Sequence, residues 1–158
     1  MKKVLVAYFS AEGTTRALAE RFAARIGADL FEIVPEQLYT AADLDWRDKG
    51  SRSSVEMADP ASRPAIASRV EDMASYDVVF VGFPVWWYRE PSIIDTFMES
   101  YDFTGKTVVP FATSGMSPIG DSGSNMNKLA PGARVATGKR FDAGVSANDI
   151  CAWAQTWL

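Results

Sequence analysis

The sequence predicts an α/β protein built on a doubly wound parallel sheet with helices on both faces. Three observations carry this expectation. Strand-like and helix-like patterns alternate along the chain, as they do in βαβ units. The first apolar run, Val4 to Phe9, is continuous rather than alternating, as in a strand covered on both faces. A helical stripe follows at once, with Leu18, Phe22 and Ile26 at i, i+4 and i+8.

The elements then follow in order. Thr14 to Ile26 reads as a helix closed by Gly27, a residue suited to the left-handed position after a helix end. Ala28 to Val34 reads as a second strand, stopped by Pro35. Residues 35–61 are polar and irregular, which for so long a loop points to function or to short internal structure. A helix is expected from Arg63-Pro64, with Ile66, Val70 and Met73 on its buried face. Asp77 to Phe83 is the third strand, and Pro91 opens a short helix with Ile94, Phe97 and Tyr101 on one side. Lys106 to Thr113 is the fourth strand. Pro110 within it has no N–H to donate, so a local irregularity is expected there. A Ser/Gly-rich loop from Ser114 to Ser124 leads to a short helix ending at Leu129. Arg134 to Phe141 is a weak fifth strand. Ser146 and Asp149 have the spacing of a helix start, before an apolar stripe of Ile150, Trp153, Ala154 and Trp157. No repeat, linker or boundary divides residues 1–158, which read as a single domain.

Composition narrows the chemistry. The chain has no histidine, which removes Ser-His-Asp and Cys-His hydrolase arrangements and His-containing zinc sites. The single cysteine, Cys151, permits no internal disulfide and falls in the last helical pattern as a small hydrophobe. Chemistry without imidazole points towards a bound cofactor. A net charge of -4 with no clustered basic run argues against nucleic acid as a partner. The N-terminal apolar run is six residues long, short of the roughly seven to fifteen of a secretory signal. No run approaches the roughly 18 apolar residues of a membrane span. A cytoplasmic protein with no membrane partner is expected.

Ligands of doubly wound sheets sit beyond the carboxyl ends of the strands, where strand order reverses. Three loops therefore matter. Ser10-Ala11-Glu12-Gly13-Thr14-Thr15 joins the first strand to the first helix. Its backbone N–H groups and hydroxyls suit a phosphate, and equally suit a helix capped by Ser10 or Thr14. It is neither a Gly-x-Gly-x-x-Gly turn nor a P-loop. Pro84-Val85-Trp86-Trp87-Tyr88 follows the third strand, and three adjacent aromatics there suit stacking on a flat ring, or else an aromatic cap over the sheet end or a protein interface. Thr113-Ser114-Gly115 begins a loop whose small residues allow close backbone approach to a ligand. Together they supply a phosphate cradle, an aromatic wall and a close backbone edge, the requirements of flavin mononucleotide (FMN).

With these pieces in order, the sequence resembles the flavodoxin family, in the short branch with a Trp-Trp loop after strand three. The resemblance rests on Ser10 to Thr15, on Gly82 to Trp87, on Pro91 and on Gly105 to Ser114. It also rests on the stretch Tyr39 to Pro64, with Trp46, Ser51-Arg52, Glu56 and Arg63-Pro64. It implies a flavodoxin-like, five-stranded parallel sheet in order 2-1-3-4-5. It implies that Ser10, Gly13, Thr14 and Thr15 hold the FMN phosphate, with Glu12 contributing its backbone. Pro84, Val85, Trp86, Trp87 and Tyr88 would run along the isoalloxazine, and Thr113, Ser114 and Gly115 would border the ribityl chain and the pyrimidine edge. It further implies low-potential electron transfer with redox partner proteins. The alternative is an FMN-dependent NAD(P)H:quinone or flavin reductase acting on a small-molecule electron acceptor. Glu90, Asp95 and Glu99 are candidates for an acidic rim that steers partners. One departure stands out. Family members often carry glycine after the double tryptophan, and Tyr88 in that place is expected to resist positive φ.

Overall fold

The computed structural model describes residues 2–158. The sheet has five parallel pairings, four along the path β2-β1-β3-β4-β5 and a fifth that sets β6 beside β4. The strands are β1 (Val4–Tyr8), β2 (Asp29–Glu32), β3 (Val78–Pro84), β4 (Thr107–Thr113), β5 (Arg134–Val135) and β6 (Lys139–Phe141). The helices are α1 (Thr14–Ile26), α2 (Arg52–Ala58), α3 (Ser92–Glu99), α4 (Ser122–Leu129) and α5 (Ala147–Ala154).

The continuous apolar strands sort their side chains by the two-residue period of a pleated sheet. Leu5, Ala7, Phe9, Val79, Val81 and Phe83 pack on one face with Ile93, Ile94, Phe97 and Met126 of α3 and α4. Val6, Tyr8, Val78 and Phe80 pack on the other with Leu18 and Phe22 of α1 and Ile150 of α5. Cys151 is buried in that second layer, as its apolar setting in the sequence implies. Gly27 closes α1 at φ 69°, and Ser146 Oγ caps α5 by accepting from the Asp149 N–H at 3.1 Å.

The irregularity expected at Pro110 is real and lies in its neighbour. Lys106 and Val108 turn their carbonyls to the fifth-strand side, accepting from Arg134 and Ala136 at 2.9 Å each. In a parallel ladder Pro110 faces the same way, so its missing donor faces that edge. The fifth strand is accordingly split, with β5 against Thr107 and Val108 and β6 against Phe111 to Thr113.

Two expectations fail. The second strand is shorter than residues 28–34, because after Ile33 the chain pairs elsewhere. Pro35 forms an antiparallel bridge with Ile66, with Glu36 N donating to Ala65 O at 2.9 Å and Ala67 N to Val34 O at 2.7 Å. That bridge also removes the helix expected from Arg63-Pro64. Residues 63–70 are not helical, and their backbone bonds Val34–Glu36 and Tyr101, whose hydroxyl accepts from Val70 N at 2.8 Å. Only Met73–Ser75 turns helical, as one 3₁₀ turn with Met73 buried.

Candidate functional site

The order of the sheet reverses between β1 and β3, and the loops after β1, β3 and β4 meet there. They line a cleft of about 840 Å³. Of the residues singled out in the sequence, Ser10, Glu12, Thr14, Thr15, Pro84, Val85, Trp86, Trp87, Tyr88, Thr113, Ser114 and Gly115 all line it. Gly13 does not. It forms the turn itself, at φ 96°, a backbone conformation that suits glycine.

The first loop departs from a capped helix start. Ser10 Oγ accepts from Gly13 N at 3.0 Å, and no side chain caps α1. The first N–H groups of this 13-residue helix are left without a side-chain acceptor, at the positive end of its dipole. The Thr15 hydroxyl has one partner in the protein, and since either oxygen of the pair can donate, it keeps further hydrogen-bonding capacity. It is buried and bonds Thr113 Oγ1 at 2.8 Å, tying the first loop to the third. No Lys or Arg lines the cleft among the described residues. An anion there is met by N–H and O–H donors alone.

The second loop is a two-residue hairpin turn. Trp86 N donates to Arg89 O at 3.0 Å and Arg89 N to Trp86 O at 3.1 Å. Its central residues, Trp87 and Tyr88, take φ 47° and 64°. Positive φ at both positions defines a type I′ turn, usually filled by Asn-Gly. The expectation that Tyr88 resists positive φ is therefore overturned, because the hairpin's paired hydrogen bonds impose it. The left-handed region costs about 1–2 kcal/mol per L-residue, so the turn is a strained element at the mouth of the cleft. The two tryptophans have different surroundings. Trp86 packs edge-on against Phe9 and Tyr39, with centroids 5.5 and 5.3 Å away. Trp87 and Tyr88 are 42% and 70% exposed.

The third loop is pinned by Val85 N donating to Thr113 O at 3.1 Å and by the Ser114 hydroxyl donating to Ser117 O. Arg140 chelates Asp142 at 2.8 and 2.9 Å and donates to Gly115 O at 3.1 Å. Asp142 and Ala143, just past β6, also line the cleft, as do Leu44, Trp46 and Ser53 from residues 35–58. These residues lie outside the three loops that the sequence singles out. The length of the 35–61 loop was the available signal for the second group. The carboxyl end of the fifth strand was the signal for the first.

Two of the three acidic-rim candidates are withdrawn from the surface, and only Glu99 is exposed. Glu90 and Asp95 are 1% and 5% exposed behind the hairpin, and Glu99 pairs with Arg63. Asn125 donates to Glu90 Oε1 at 3.1 Å, and Arg89 and Arg63 lie 3.6 and 3.9 Å from Asp95 Oδ2. Glu90 Oε2 and Asp95 Oδ1 have no donor. Burial pushes the Asp95 carboxyl up to about 8, and the adjacent Glu90 carboxyl pushes it the same way, against the two arginines. An Asp in the unfolded chain titrates near about 3.9. The folded protein thus keeps a proton that the unfolded chain releases. That stabilisation is complete below about pH 4 and is lost as pH rises towards about 8. The urea midpoint of the wild type should fall between about pH 5 and about pH 8.5, and Asp95→Asn should flatten the decline. A level wild-type profile, or an equally steep decline in the variant, contradicts the assignment.

Comparison with known proteins agrees with this architecture. A family model described as Flavodoxin matches residues 3–157. A Bacteroides eggerthii protein assigned to the flavoproteins is 50% identical. It superposes with a TM-score of 0.90 over 99% of this chain and 98% of that one. A Bacteroides uniformis protein with the same assignment is 48% identical, with a TM-score of 0.91 over 98% of each chain. A Lactobacillus acidophilus flavoprotein, crystallised in complex with FMN, shares the fold at 24% identity. Its TM-score is 0.72, over 98% of this chain and 100% of that one. No curated protein sequence matches the chain.

Proposed function

Because the chain belongs to the flavodoxin family, we propose that it binds FMN in the cleft beyond β1, β3 and β4 and serves as an electron-transfer flavoprotein. The observation that carries this reading is the convergence of unlike surfaces on one cleft. An uncapped helix start with hydroxyls stands beside an aromatic hairpin and a loop of small residues. These match, in turn, a phosphate, a flat ring and a polar chain edge. The FMN held by the Lactobacillus acidophilus relative supports the choice of ligand.

The residues would divide the work as follows. Ser10, Thr14 and the backbone N–H groups of α1's first turn hold the phosphate. Glu12 contributes main chain, and Thr15, whose hydroxyl shares a bond with Thr113 Oγ1, retains capacity for a further bond to the phosphate. Trp87 and Tyr88 present exposed faces to the isoalloxazine, with Pro84 and Val85 lining the approach and Trp86 bracing the hairpin from behind. Thr113, Ser114 and Gly115 border the ribityl chain and the ring edge. Bound there, the isoalloxazine supplies one- and two-electron redox chemistry, and the protein sets its potential.

The cleft supports a carrier better than a nicotinamide-dependent reductase. The sequence carries no separate dinucleotide-binding motif. Trp46, Trp87 and Tyr88 are exposed and line the cleft, an apolar edge suited to a partner protein. No helix among the described residues is long and apolar enough to cross a membrane. The test is to mix the FMN-loaded protein with NADPH or NADH and a quinone, with no other protein present. The carrier reading expects no sustained nicotinamide oxidation. Steady turnover would replace it with an FMN-dependent NAD(P)H:quinone reductase.

A further inference from the structure

The cleft has a wall that none of the three strand-end loops supplies. Leu44, Trp46 and Ser53 reach it from the long segment between β2 and β3. Ser53 is 1% exposed, and its hydroxyl has no hydrogen-bond partner. The neighbouring serines differ. Ser51 Oγ donates to Ser54 Oγ at 2.9 Å and accepts from Ser54 N at 3.4 Å, so both are satisfied within the turn. A helical serine can also bond back to the carbonyl four residues earlier, and Ser53 does not. A buried hydroxyl on the wall of a cleft, left without a partner, needs an explanation.

The segment that delivers Ser53 is held firmly. Ser53 N donates to Asp43 O at 3.0 Å. The Tyr39 hydroxyl donates to Glu56, Arg52 Nε donates to Glu56 Oε2 at 3.0 Å, and the Arg52 guanidinium lies 3.8 Å over the Tyr39 ring. Tyr39 in turn packs edge-on against Trp86. At the far end of α2, Arg89 donates to Met57 O at 3.2 Å and Ser92 Oγ to Glu56 O at 3.3 Å. These ties run to the Trp-Trp hairpin and to the start of α3, not to the start of α1. Ser53's companions on the wall, Leu44 and Trp46, are apolar, which suits a ring and not a phosphate.

We propose that Ser53 is a flavin-binding residue whose hydroxyl bonds the isoalloxazine or ribityl part of the ligand, with the segment Tyr39–Met57 braced on the hairpin to hold it there. This rests on the reading of the cleft as an FMN site. The orphaned hydroxyl gains its partner only when the ligand is bound. Its removal should therefore cost binding and spare the fold.

The test is to titrate the flavin-free full chain, as wild type and as Ser53→Ala, with FMN and with riboflavin, following the quenching of flavin fluorescence. Melting temperatures of both flavin-free proteins are recorded alongside. The expected result is a loss of about tenfold in affinity for FMN and riboflavin alike, as for one hydrogen bond. The flavin-free melting temperature should be unchanged or slightly raised. A loss confined to FMN would place Ser53 at the phosphate and overturn the assignment. Equal affinities of variant and wild type, or a lower melting temperature without flavin, would overturn it as well. Failure of the wild type to bind either flavin is a different outcome, and it would overturn the FMN reading itself.

Discussion

Gly120→Ala will lower the stability of the protein by about 2–5 kcal/mol and loosen the aromatic hairpin. Gly120 sits at φ 60°, and a Cβ built on it lies 2.3 Å from the Tyr88 carbonyl oxygen. Two costs combine. The left-handed conformation disfavours an L side chain by roughly 1–2 kcal/mol. The overlap with backbone forces a shift of the kind that overpacking exacts, about 1–3 kcal/mol. The oxygen belongs to the already strained Trp87-Tyr88 turn, so the displacement reaches the cleft directly and FMN affinity should fall with stability. Gly115→Ala is the control. It lies in the same loop, has no positive φ, and a Cβ there meets nothing within 4 Å. Urea unfolding of both variants decides the point. A Gly120→Ala protein as stable as the control would contradict the close packing of loop on hairpin.

The two tryptophans should separate stability from binding. Trp86→Ala removes the ring wedged between Phe9 and Tyr39 and should cost about 2–4 kcal/mol, somewhat less than for a fully buried aromatic. Trp87→Ala removes an exposed ring and should leave stability within about 0.5 kcal/mol. It should nevertheless weaken FMN by about tenfold, through lost stacking and lost contact area. Urea midpoints and flavin titrations read the two effects independently. Unchanged FMN affinity in Trp87→Ala would move the stacking role to Tyr88 or Trp46.

Much of this architecture is legible in the residues because burial on both faces leaves continuous apolar strands. Val4 to Phe9 and Asp77 to Phe83 have the length and the β-branched and aromatic content of buried strands. Leu18 and Phe22 set the face of α1, and Gly27 its end. Even the split fifth strand is foreshadowed, since Pro110 can donate nothing to an edge neighbour. Residues 63–73 mislead for a physical reason. Ile66, Val70 and Met73 match a helical period, while Ser62, Pro64 and Ile66 match an extended one, with exposed residues between them. The bridge that decides between them, Pro35 with Ile66, is remote in sequence.

The site is legible where its chemistry is local and obscure where it depends on folding back. Hydroxyls beside a helix start and adjacent aromatics in a loop are visible in sequence. The wall at Leu44, Trp46 and Ser53 is not. The seven-residue α2 buries two serines and one methionine, too short and too polar a face for periodicity to find. Glu90 and Asp95 mislead in the same way. In sequence they read as surface acids, and only the approach of Arg89, Arg63 and Asn125 makes their burial tolerable. Glu90 thereby joins the hairpin to α4 through Asn125.

The central claim is that one cleft grips a phosphate at the start of α1 and a flat ring at the hairpin. Titrating the flavin-free protein with FMN and with riboflavin, and following flavin fluorescence, tests it most directly. Saturable quenching at one FMN per chain is expected, with clearly weaker binding of riboflavin, which lacks the phosphate. Fluorescence that ignores the protein, or equal affinity for the two flavins, would contradict it.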